Sequence, residues 1–552
     1  MTARRSAIAA VAAIASIAVT ATLFRPPAPV RAADRDRDLV RLACSLSHEQ
    51  LLRTWRGWRP DRGANLQIIA KEPNFVGSGL PHVGPWDYIQ TVPMFWYGPG
   101  FIQARGVVDR SVTVADIAPT QAELLHFDGF RAPDGQVMAE AVLPTERTPK
   151  VVVVLVWDAG GINVLEEHRG AWPYLRSLIP QGTWYEGATV GSSPTSTAQI
   201  HTTIGTGAFP NHHGLIGHRL DIGGVLTTPW DQGPAFIVLP TFADVFDRAM
   251  GNRAVAGMIG TVSIHLGMLS HGAYLSGADR DVATTRSVVA GETLTDEGFE
   301  WNLPPRLTPY YRLADYANDV PGFENDVRRL DQADGKLDEN WRDNPIQPLL
   351  QGFDTPARIP YQQRVVEEVI RREGIGDDAV PDLLYLNFKE IDYISHVWSM
   401  NSPEMRDAVV EQDLALRRLV AFLDQQVGRE EWAMVLTADH ASMPDPATTG
   451  GFQISSGLVA ARIQARFDGD GDDVSVVRLV QPTQLYLDEQ ELASRGGTIE
   501  EVARYAMTFT QALTAGSGVR PNPGQADDPV FAAAFPSRLM RELPCLPEAS
   551  GS

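Results

Sequence analysis

The sequence predicts an α/β fold in which helices flank a mostly parallel central sheet, with a cap insertion. Three apolar runs, at 151–157, 383–388 and 432–437, are the basis of this prediction. Each run is too continuous for a half-exposed strand, which would alternate polar and apolar residues, so each indicates a strand buried on both faces. Between the last two runs, 402–427 has the apolar spacing of a long amphipathic helix, as expected for a crossover between parallel strands.

The rest of the chain has weaker patterns. Residues 162–180 are amphipathic, and 251–380 form the least patterned part, which we interpret as an insertion that covers the site. The other predicted elements, in chain order, are strands at 66–70 and 92–100, a helix at 112–125, a linker at 131–150 and a helix at 498–514.

Each of the three apolar runs is followed by residues that can bind a metal ion. Asp158 follows the first run, Asp392 and His396 follow the second, and Asp439 and His440 follow the third. Ligands of open α/β sheets bind beyond the carboxyl ends of the strands, so we expect these side chains to lie together at one edge of the sheet.

Carboxylates and imidazoles together suit zinc or a similar divalent ion. A second Asp–His pair on a neighbouring strand indicates two ions. Any one of these histidines, taken alone, would more often be structural. Their common position at strand ends favours the metal site.

Hydroxyl side chains cluster at Thr195, Ser196 and Thr197, just before a predicted helix. One interpretation is that they only cap the helix, since serine and threonine are good capping residues. The other is that one of them is a nucleophile at a helix N-terminus, where free N–H groups stabilise an anion.

The composition is that of a globular protein with a strongly acidic surface. The chain has 552 residues, 44% of them hydrophobic, and a formal net charge of −21. Such a surface repels nucleic acid and anionic membranes, and no basic groove is apparent. We therefore expect a small anionic substrate that is bound through local positive charge, which a metal could supply.

The first 33 residues resemble a signal peptide. Arg4 and Arg5 precede an apolar run at about 7–24, and Val30-Arg31-Ala32 could be a cleavage site. We expect a secreted or extracytoplasmic protein with no stable membrane partner beyond this segment. The alternative is an uncleaved membrane anchor, because 18 apolar residues could just span a bilayer.

The only cysteines are Cys44 and Cys545. Outside the cytoplasm, an even number of cysteines indicates a disulfide. Two unrelated thiols are the alternative.

Together these motifs resemble the alkaline phosphatase superfamily, most closely its type I phosphodiesterase/nucleotide pyrophosphatase branch. The matching pieces are Asp158, the stretch from Thr197 through His201 and Thr206-Gly207 to Pro210-Asn-His-His-Gly-Leu-Ile216, Asp392-x-x-x-His396, and Asp439-His440. The resemblance implies an alkaline phosphatase-like fold and a two-zinc site, although Mn²⁺ or another divalent ion is possible. It also implies that Thr197 is the nucleophile and forms a covalent phospho-threonine.

The resemblance also implies which residues bind each ion. Asp158, Thr197, Asp439 and His440 would bind one ion, and Asp392 and His396 the other. In the superfamily the second ion takes another histidine downstream of the Asp-His pair, but no histidine follows His440 here.

His82 is the candidate for the missing ligand. The segment around it, with Asp116-Ile-Ala-Pro-Thr120 further on, resembles the C-terminal part of these enzymes. We therefore predict a circular permutation that moved this part to the front. The predicted division is a signal peptide at 1–33, the permuted C-terminal part of the core at 40–146, the nucleophile half at 147–250, the cap at 251–380 and the metal-ligand half at 381–546.

Two positions differ from the family and are predicted to bind substrate. His218 stands where relatives often have an asparagine that contacts phosphate, and His265 and Gly267 stand where monoesterases carry a Lys-x-Arg pair. Without that pair we expect phosphate diesters or pyrophosphates to be preferred over monoesters. The alternatives are a phosphomonoesterase, a sulfate or phosphonate ester hydrolase, and a non-catalytic secreted metal-binding protein.

Overall fold

The structure is a computed structural model, and it describes residues 36–230, 232–269, 271–288, 299–352, 355–468 and 474–549. The predicted signal peptide at 1–33 lies outside the described residues. Among the described residues, no helix combines the length and the apolar composition needed to cross a bilayer.

The strands follow the apolar runs closely. In chain order they are β1 Leu66–Ala70, β2 Phe75–Val76, β3 Met94–Tyr97, β4 Gly106–Thr113, β5 Val151–Trp157, β6 Thr183–Thr189, β7 Leu220–Ile222, β8 Val225–Thr227, β9 Ala256–Ile259, β10 Asp281–Val288, β11 Phe299–Asn302, β12 Tyr311–Arg312, β13 Asn340–Trp341, β14 Asn344–Pro345, β15 Asp382–Phe388, β16 Trp432–Thr437, β17 Gln453–Ile454, β18 Val477–Gln481, β19 Gln484–Leu487 and β20 Phe531–Pro536.

The helices lie between these strands. They are α1 Arg37–Ala43, α2 His48–Arg56, α3 Asp87–Gln90, α4 Ile117–Leu124, α5 Ile162–Glu167, α6 Pro173–Leu178, α7 Thr197–Thr206, α8 Pro210–His213, α9 Phe242–Ala249, α10 Phe323–Asp331, α11 Ile346–Gly352, α12 Arg358–Glu373, α13 Glu390–Trp398, α14 Pro403–Leu423, α15 Pro446–Thr449, α16 Ser456–Phe467, α17 Glu489–Ser494, α18 Ile499–Ala506 and α19 Gln511–Thr514.

The central sheet has the order β11-β10-β9-β15-β5-β16-β3-β6-β4, and β12 also pairs with β10. Strands β10, β9, β15, β5 and β16 run parallel to one another, whereas β3 is antiparallel to both of its neighbours. The predicted mostly parallel α/β sheet is confirmed, and the three apolar runs are adjacent at its centre.

The packing of strand β5 explains why its residues are all apolar and do not alternate with polar ones. Val151, Val153 and Leu155 pack into one core cluster with helix α14. Val152 and Val154 point to the other face and pack into a second cluster with helix α7. Both faces of the strand are covered, so neither tolerates polar residues.

Two predicted helical regions are interrupted, each for a local reason. In 162–180, α5 ends before Trp172, whose indole donates to Leu165 O, and Pro173 begins a new helix because it lacks a backbone N–H. In 498–514, α18 ends at Ala506, because Phe509 O accepts from Val530 N and joins the chain there to the segment before β20.

Two strands of the segment predicted as a cap, β9 and β10, extend the central sheet beside β15. The domain boundaries proposed from the sequence stay predictions.

A second, antiparallel sheet has the order β18-β19-β1-β20 and packs with α1 and α18 in a third core cluster. Beside it, Cys44 and Cys545 form a disulfide with Cα atoms 5.8 Å apart. The predicted disulfide is therefore confirmed, and the alternative of two unrelated thiols is wrong.

Candidate metal centre

The structure brings the metal-binding side chains of the three apolar runs to one edge of the sheet. Asp158 follows β5, and Asp439 and His440 follow β16. Asp392 and His396 lie one turn apart in α13, directly after β15, so both side chains project from the same side of that helix. All of these residues except His396 are buried.

Three of the four residues in the first predicted ligand set converge on one point. His440 Nε2 lies 3.2 Å from Asp439 Oδ2 and 3.6 Å from Asp158 Oδ1. One ligand atom from each of the three residues lies within 4.8 Å of the others, as donors around a single ion would.

The second set also converges, and His82 belongs to it. Asp392 Oδ1 lies 3.1 Å from His82 Nε2 and 3.5 Å from His396 Nε2. The His82 ring stacks on His440, with centroids 3.5 Å apart, so the two sets are immediate neighbours.

The predicted ligand atoms suit divalent ions because several of them have no hydrogen-bond partner in the protein. Asp392 Oδ1, Asp439 Oδ2 and His440 Nε2 are buried and accept or donate no hydrogen bond. An unpaired buried polar atom costs free energy, so such a group requires an explanation in a native structure. Ions bound by these atoms would supply the missing partners.

The protonation states of the imidazoles also favour metal binding. Burial lowers the pKa of His82 and of His440 to about 4, so both rings are neutral near pH 7. Neutral imidazole is the form that binds metals. Burial, followed by the charge of Asp158, raises the pKa of Asp439 to about 8. A bound cation would favour the charged form of this carboxyl.

Thr197 is the first residue of α7 and is buried. Its two hydroxyl neighbours have other partners: Thr195 donates to His82 O and Ser196 donates to Gln199 Oε1. Thr197 Oγ1 instead accepts from Lys389 Nζ at 3.2 Å, and Lys389 also binds Asp158. Of the three hydroxyls, that of Thr197 is therefore the one directed toward the metal ligands.

Two positioning residues, Asn387 and His201, support Thr197 and Asp158. The Asn387 amide donates to Asp158 Oδ2 at 2.9 Å and to His201 Nε2 at 2.8 Å. With Nε2 accepting, His201 Nδ1 carries the proton and donates to Thr197 O at 2.8 Å. This chain of hydrogen bonds fixes the backbone of the predicted nucleophile relative to a predicted ligand.

The two residues predicted to bind substrate lie at different depths. His265 is fully buried, with Nε2 3.4 Å from Asp158 Oδ2. His218 is exposed at the rim, although the surrounding protein desolvates its ring and, with the charges of His82 and Lys389, lowers its pKa to about 4. Both rings are neutral near pH 7, because burial lowers the pKa of His265 to about 4 as well.

Gly267 packs directly against α7. A Cβ atom at this position would lie 2.3 Å from Thr202 Oγ1. The position therefore has no room for the arginine of a Lys-x-Arg pair.

Lys389 is the site residue that sequence reasoning missed. Its buried ammonium contacts Asp158 Oδ1 at 2.9 Å and Asp392 Oδ2 at 2.8 Å, in addition to the Thr197 hydroxyl. Burial opposes the charge, but Asp158 and Asp392 hold the pKa of Lys389 well above its usual value. The available signal was its place three residues before Asp392 at the end of an apolar strand.

The sequence pattern of the type I phosphodiesterase/nucleotide pyrophosphatase family matches residues 152–521. This is more than half of the chain, and the chain belongs to that family. It is thus an enzyme of the alkaline phosphatase superfamily that hydrolyses phosphoric ester bonds, and the alternative of a non-catalytic binding protein is wrong.

Two alkaline phosphatases are among its relatives. PafA of Elizabethkingia meningoseptica is 20% identical over 420 residues, which cover 68% of this chain and 76% of that protein. PhoV of Synechococcus elongatus is 21% identical over 345 residues, which cover 55% and 60%. The crystal structure of wild-type PafA superposes with a TM-score of 0.49 at 17% identity and covers 66% of this chain and 77% of that one.

Proposed function

We propose that the protein is an extracytoplasmic, metal-dependent phosphoric ester hydrolase of the phosphodiesterase/nucleotide pyrophosphatase type, with Thr197 as its nucleophile. The observation that carries this proposal is the set of unpartnered buried donor atoms of Asp392, Asp439 and His440. Lys389, which contacts both Asp392 and Thr197, links this set to the Thr197 hydroxyl, the one of the three clustered hydroxyls that faces the strand ends.

Two ions are proposed, with Zn²⁺ as the first candidate and Mn²⁺ as the second. Asp158, Thr197, Asp439 and His440 would hold one ion, and His82, Asp392 and His396 the other. When bound, the ions supply positive charge to the phosphoryl oxygens and lower the pKa of a coordinated hydroxyl or water.

The chain's own residues would act in two steps. In the first, Thr197 Oγ1 bonds to phosphorus, the bond to the leaving oxygen breaks, and the hydroxyl proton ends on the released alcohol or phosphate. In the second, water cleaves the phospho-threonine and restores the hydroxyl. Throughout, His201 and Asn387 would hold the Thr197 backbone in place.

The class of phosphate ester that the site prefers depends on where the site carries positive charge. The neutral His265 and the bare backbone of Gly267 support the preference for diesters. Arg286, a basic residue of the segment predicted as a cap, lies 3.0 Å from Glu390 in a buried ion pair, which offsets its charge. Lys389 beside Thr197 favours a second candidate activity, the hydrolysis of phosphate monoesters.

The disulfide supports a location outside the cytoplasm. We propose secretion through the 1–33 segment, and a small phosphate ester as the partner. The position of His82 next to Asp392 supports the proposed circular permutation, which would explain how a ligand comes from the N-terminal part of the chain.

The test is hydrolysis of bis-p-nitrophenyl phosphate, p-nitrophenyl phosphate and nucleotides by one purified sample, before and after chelation. We expect elemental analysis to find about two divalent ions per chain, activity to disappear on chelation, and Zn²⁺ or Mn²⁺ to restore it. A protein that holds no metal and whose turnover neither ion increases would contradict the proposal.

A further inference from the structure

Among the described residues, Lys389 is the only lysine or arginine whose side chain hydrogen-bonds the hydroxyl of the proposed nucleophile. Its ammonium makes three polar contacts, to Asp158, Asp392 and Thr197, which matches the three donors of an ammonium group. Asp158 and Asp392 belong to different ligand sets, so the lysine lies between them.

The contact between Lys389 and Asp392 leaves one oxygen of the Asp392 carboxylate free to bind a metal. Lys389 uses Oδ2, whereas His82 and His396 face Oδ1, the oxygen that lacks a partner. The lysine and an ion can therefore bind the same carboxylate through different oxygens. An extra cation at this point is compatible with metal binding by Asp392.

The Thr197 contact places the ammonium beside the reacting atoms. In a phospho-threonine, the non-bridging oxygens are two bonds away from Thr197 Oγ1, the atom that accepts from Lys389 at 3.2 Å. The N–H that now faces the hydroxyl can donate to one of these oxygens. A phosphate monoester has one more charged oxygen than a diester, so a fixed cation here favours the monoester.

We propose that Lys389 is a specificity-determining residue: its ammonium binds a non-bridging phosphoryl oxygen and supplies the charge that His265 and Gly267 do not. This inference rests on the proposed function, because it needs a phosphoryl group on Thr197. It adds that the site can turn over dianionic monoesters and that this ability depends on Lys389.

The experiment compares wild type with Lys389→Met, Lys389→Arg and the exposed control Lys336→Met. For each protein, kcat/KM is measured for p-nitrophenyl phosphate and for bis-p-nitrophenyl phosphate. Inorganic phosphate binding is measured by calorimetry, and metal content by elemental analysis.

For Lys389→Met we expect the monoester-to-diester ratio of kcat/KM to fall about 10- to 100-fold, the loss of one charge-assisted hydrogen bond. Phosphate affinity should fall as well, while metal content stays that of wild type. Lys389→Arg should recover much of the ratio because it keeps the charge, and it also covers the case in which the methionine variant does not fold. Lys336→Met should match wild type.

Three results would overturn the inference. An equal loss for both esters together with lost metal would make Lys389 only a positioning residue for the ligands. An additional ion in Lys389→Met would mean that the ammonium replaces an ion. Unchanged phosphate affinity in Lys389→Met would show that it does not contact the phosphoryl group, even if neither ester were a substrate.

Failure of the proposed function would look different. In that case wild type and Lys336→Met would both hydrolyse neither ester.

Discussion

Two groups of three aspartates can be compared within the described residues, and one of them has the features of a reactive site. Asp158, Asp392 and Asp439 meet at the strand ends among imidazoles and Lys389. In the other group, Asp247, Asp279 and Asp281, one carboxylate oxygen of each residue lies within 4.8 Å of the others. Within the described part of the chain, no ion pair joins this second group to a basic residue.

The pKa values separate the two groups. Burial would raise the pKa of Asp158 and of Asp392, but the Lys389 ammonium holds both well below the usual range. In the second group, burial and then the charge of Asp279 raise the pKa of Asp247 to about 6. Carboxylates alone repel one another, so a reactive site is distinguished by the cation and the imidazoles that accompany them.

The largest expected effect comes from removing the hydroxyl of Thr197, the proposed nucleophile beside the first group. Thr197→Ala should lower kcat by about 10³-fold or more with the fold intact, because only a hydroxyl and a methyl group are lost. Thr197→Ser keeps the hydroxyl and should retain much more activity. Steady-state kinetics and circular dichroism check both variants. Near-normal turnover in Thr197→Ala with an inactive Ser196→Ala would move the nucleophile by one residue.

The second-largest expected effect is a loss of metal, and it distinguishes the two aspartate groups. His82→Ala should lose one of the two proposed ions and reduce kcat/KM by more than about 100-fold, because the second ion would lose an imidazole ligand. Asp279→Asn, the matched change in the second group, should alter neither quantity. Elemental analysis and diester kinetics on the same preparations provide the measurement. Full metal content and full activity in His82→Ala would remove His82 from the site and leave the permutation without its main support.

The smallest effect concerns the second group alone. The raised pKa of Asp247 stabilises the folded state below the usual aspartate pKa, and this contribution is lost as the pH rises through about 6. Asp247→Asn cannot ionise, so at pH 8 it should raise the melting temperature by about 1–3 °C. At pH 4.5 the difference from wild type should largely vanish. A difference that is equal at both pH values would show that the carboxylate charge is not its cause.

Much of the fold could be predicted because a buried parallel strand has a distinctive sequence. The run at 151–157 needs apolar residues on both faces, and it becomes β5 with the predicted limits. Strands β9 and β10 were not predicted, since β9 is short and β10 contains the polar residues Thr284, Thr285 and Arg286, which are nevertheless buried. Such burial depends on tertiary contacts that no local pattern records.

The site was predictable to the extent that motifs mark it. Asp392-x-x-x-His396 and Asp439-His440 stand out in the sequence. Lys389 does not, because an isolated lysine usually indicates an exposed side chain. The burial of Lys389 is stabilised by the carboxylate of Asp158, 231 positions earlier in the chain. Only the folded protein reveals this contact.

The disulfide has a mechanical consequence. Cys44 and Cys545 are separated by 501 positions, so the bond closes nearly the whole described chain into one covalent ring. A pulling force applied to the chain outside these two cysteines passes through the sulfur–sulfur bond, and the strands between them bear almost none of it. A single cut by a protease in an exposed loop likewise opens the ring without releasing a fragment. The edge of the sheet that carries the candidate metal ligands is therefore shielded from tension that reaches the molecule through its two ends.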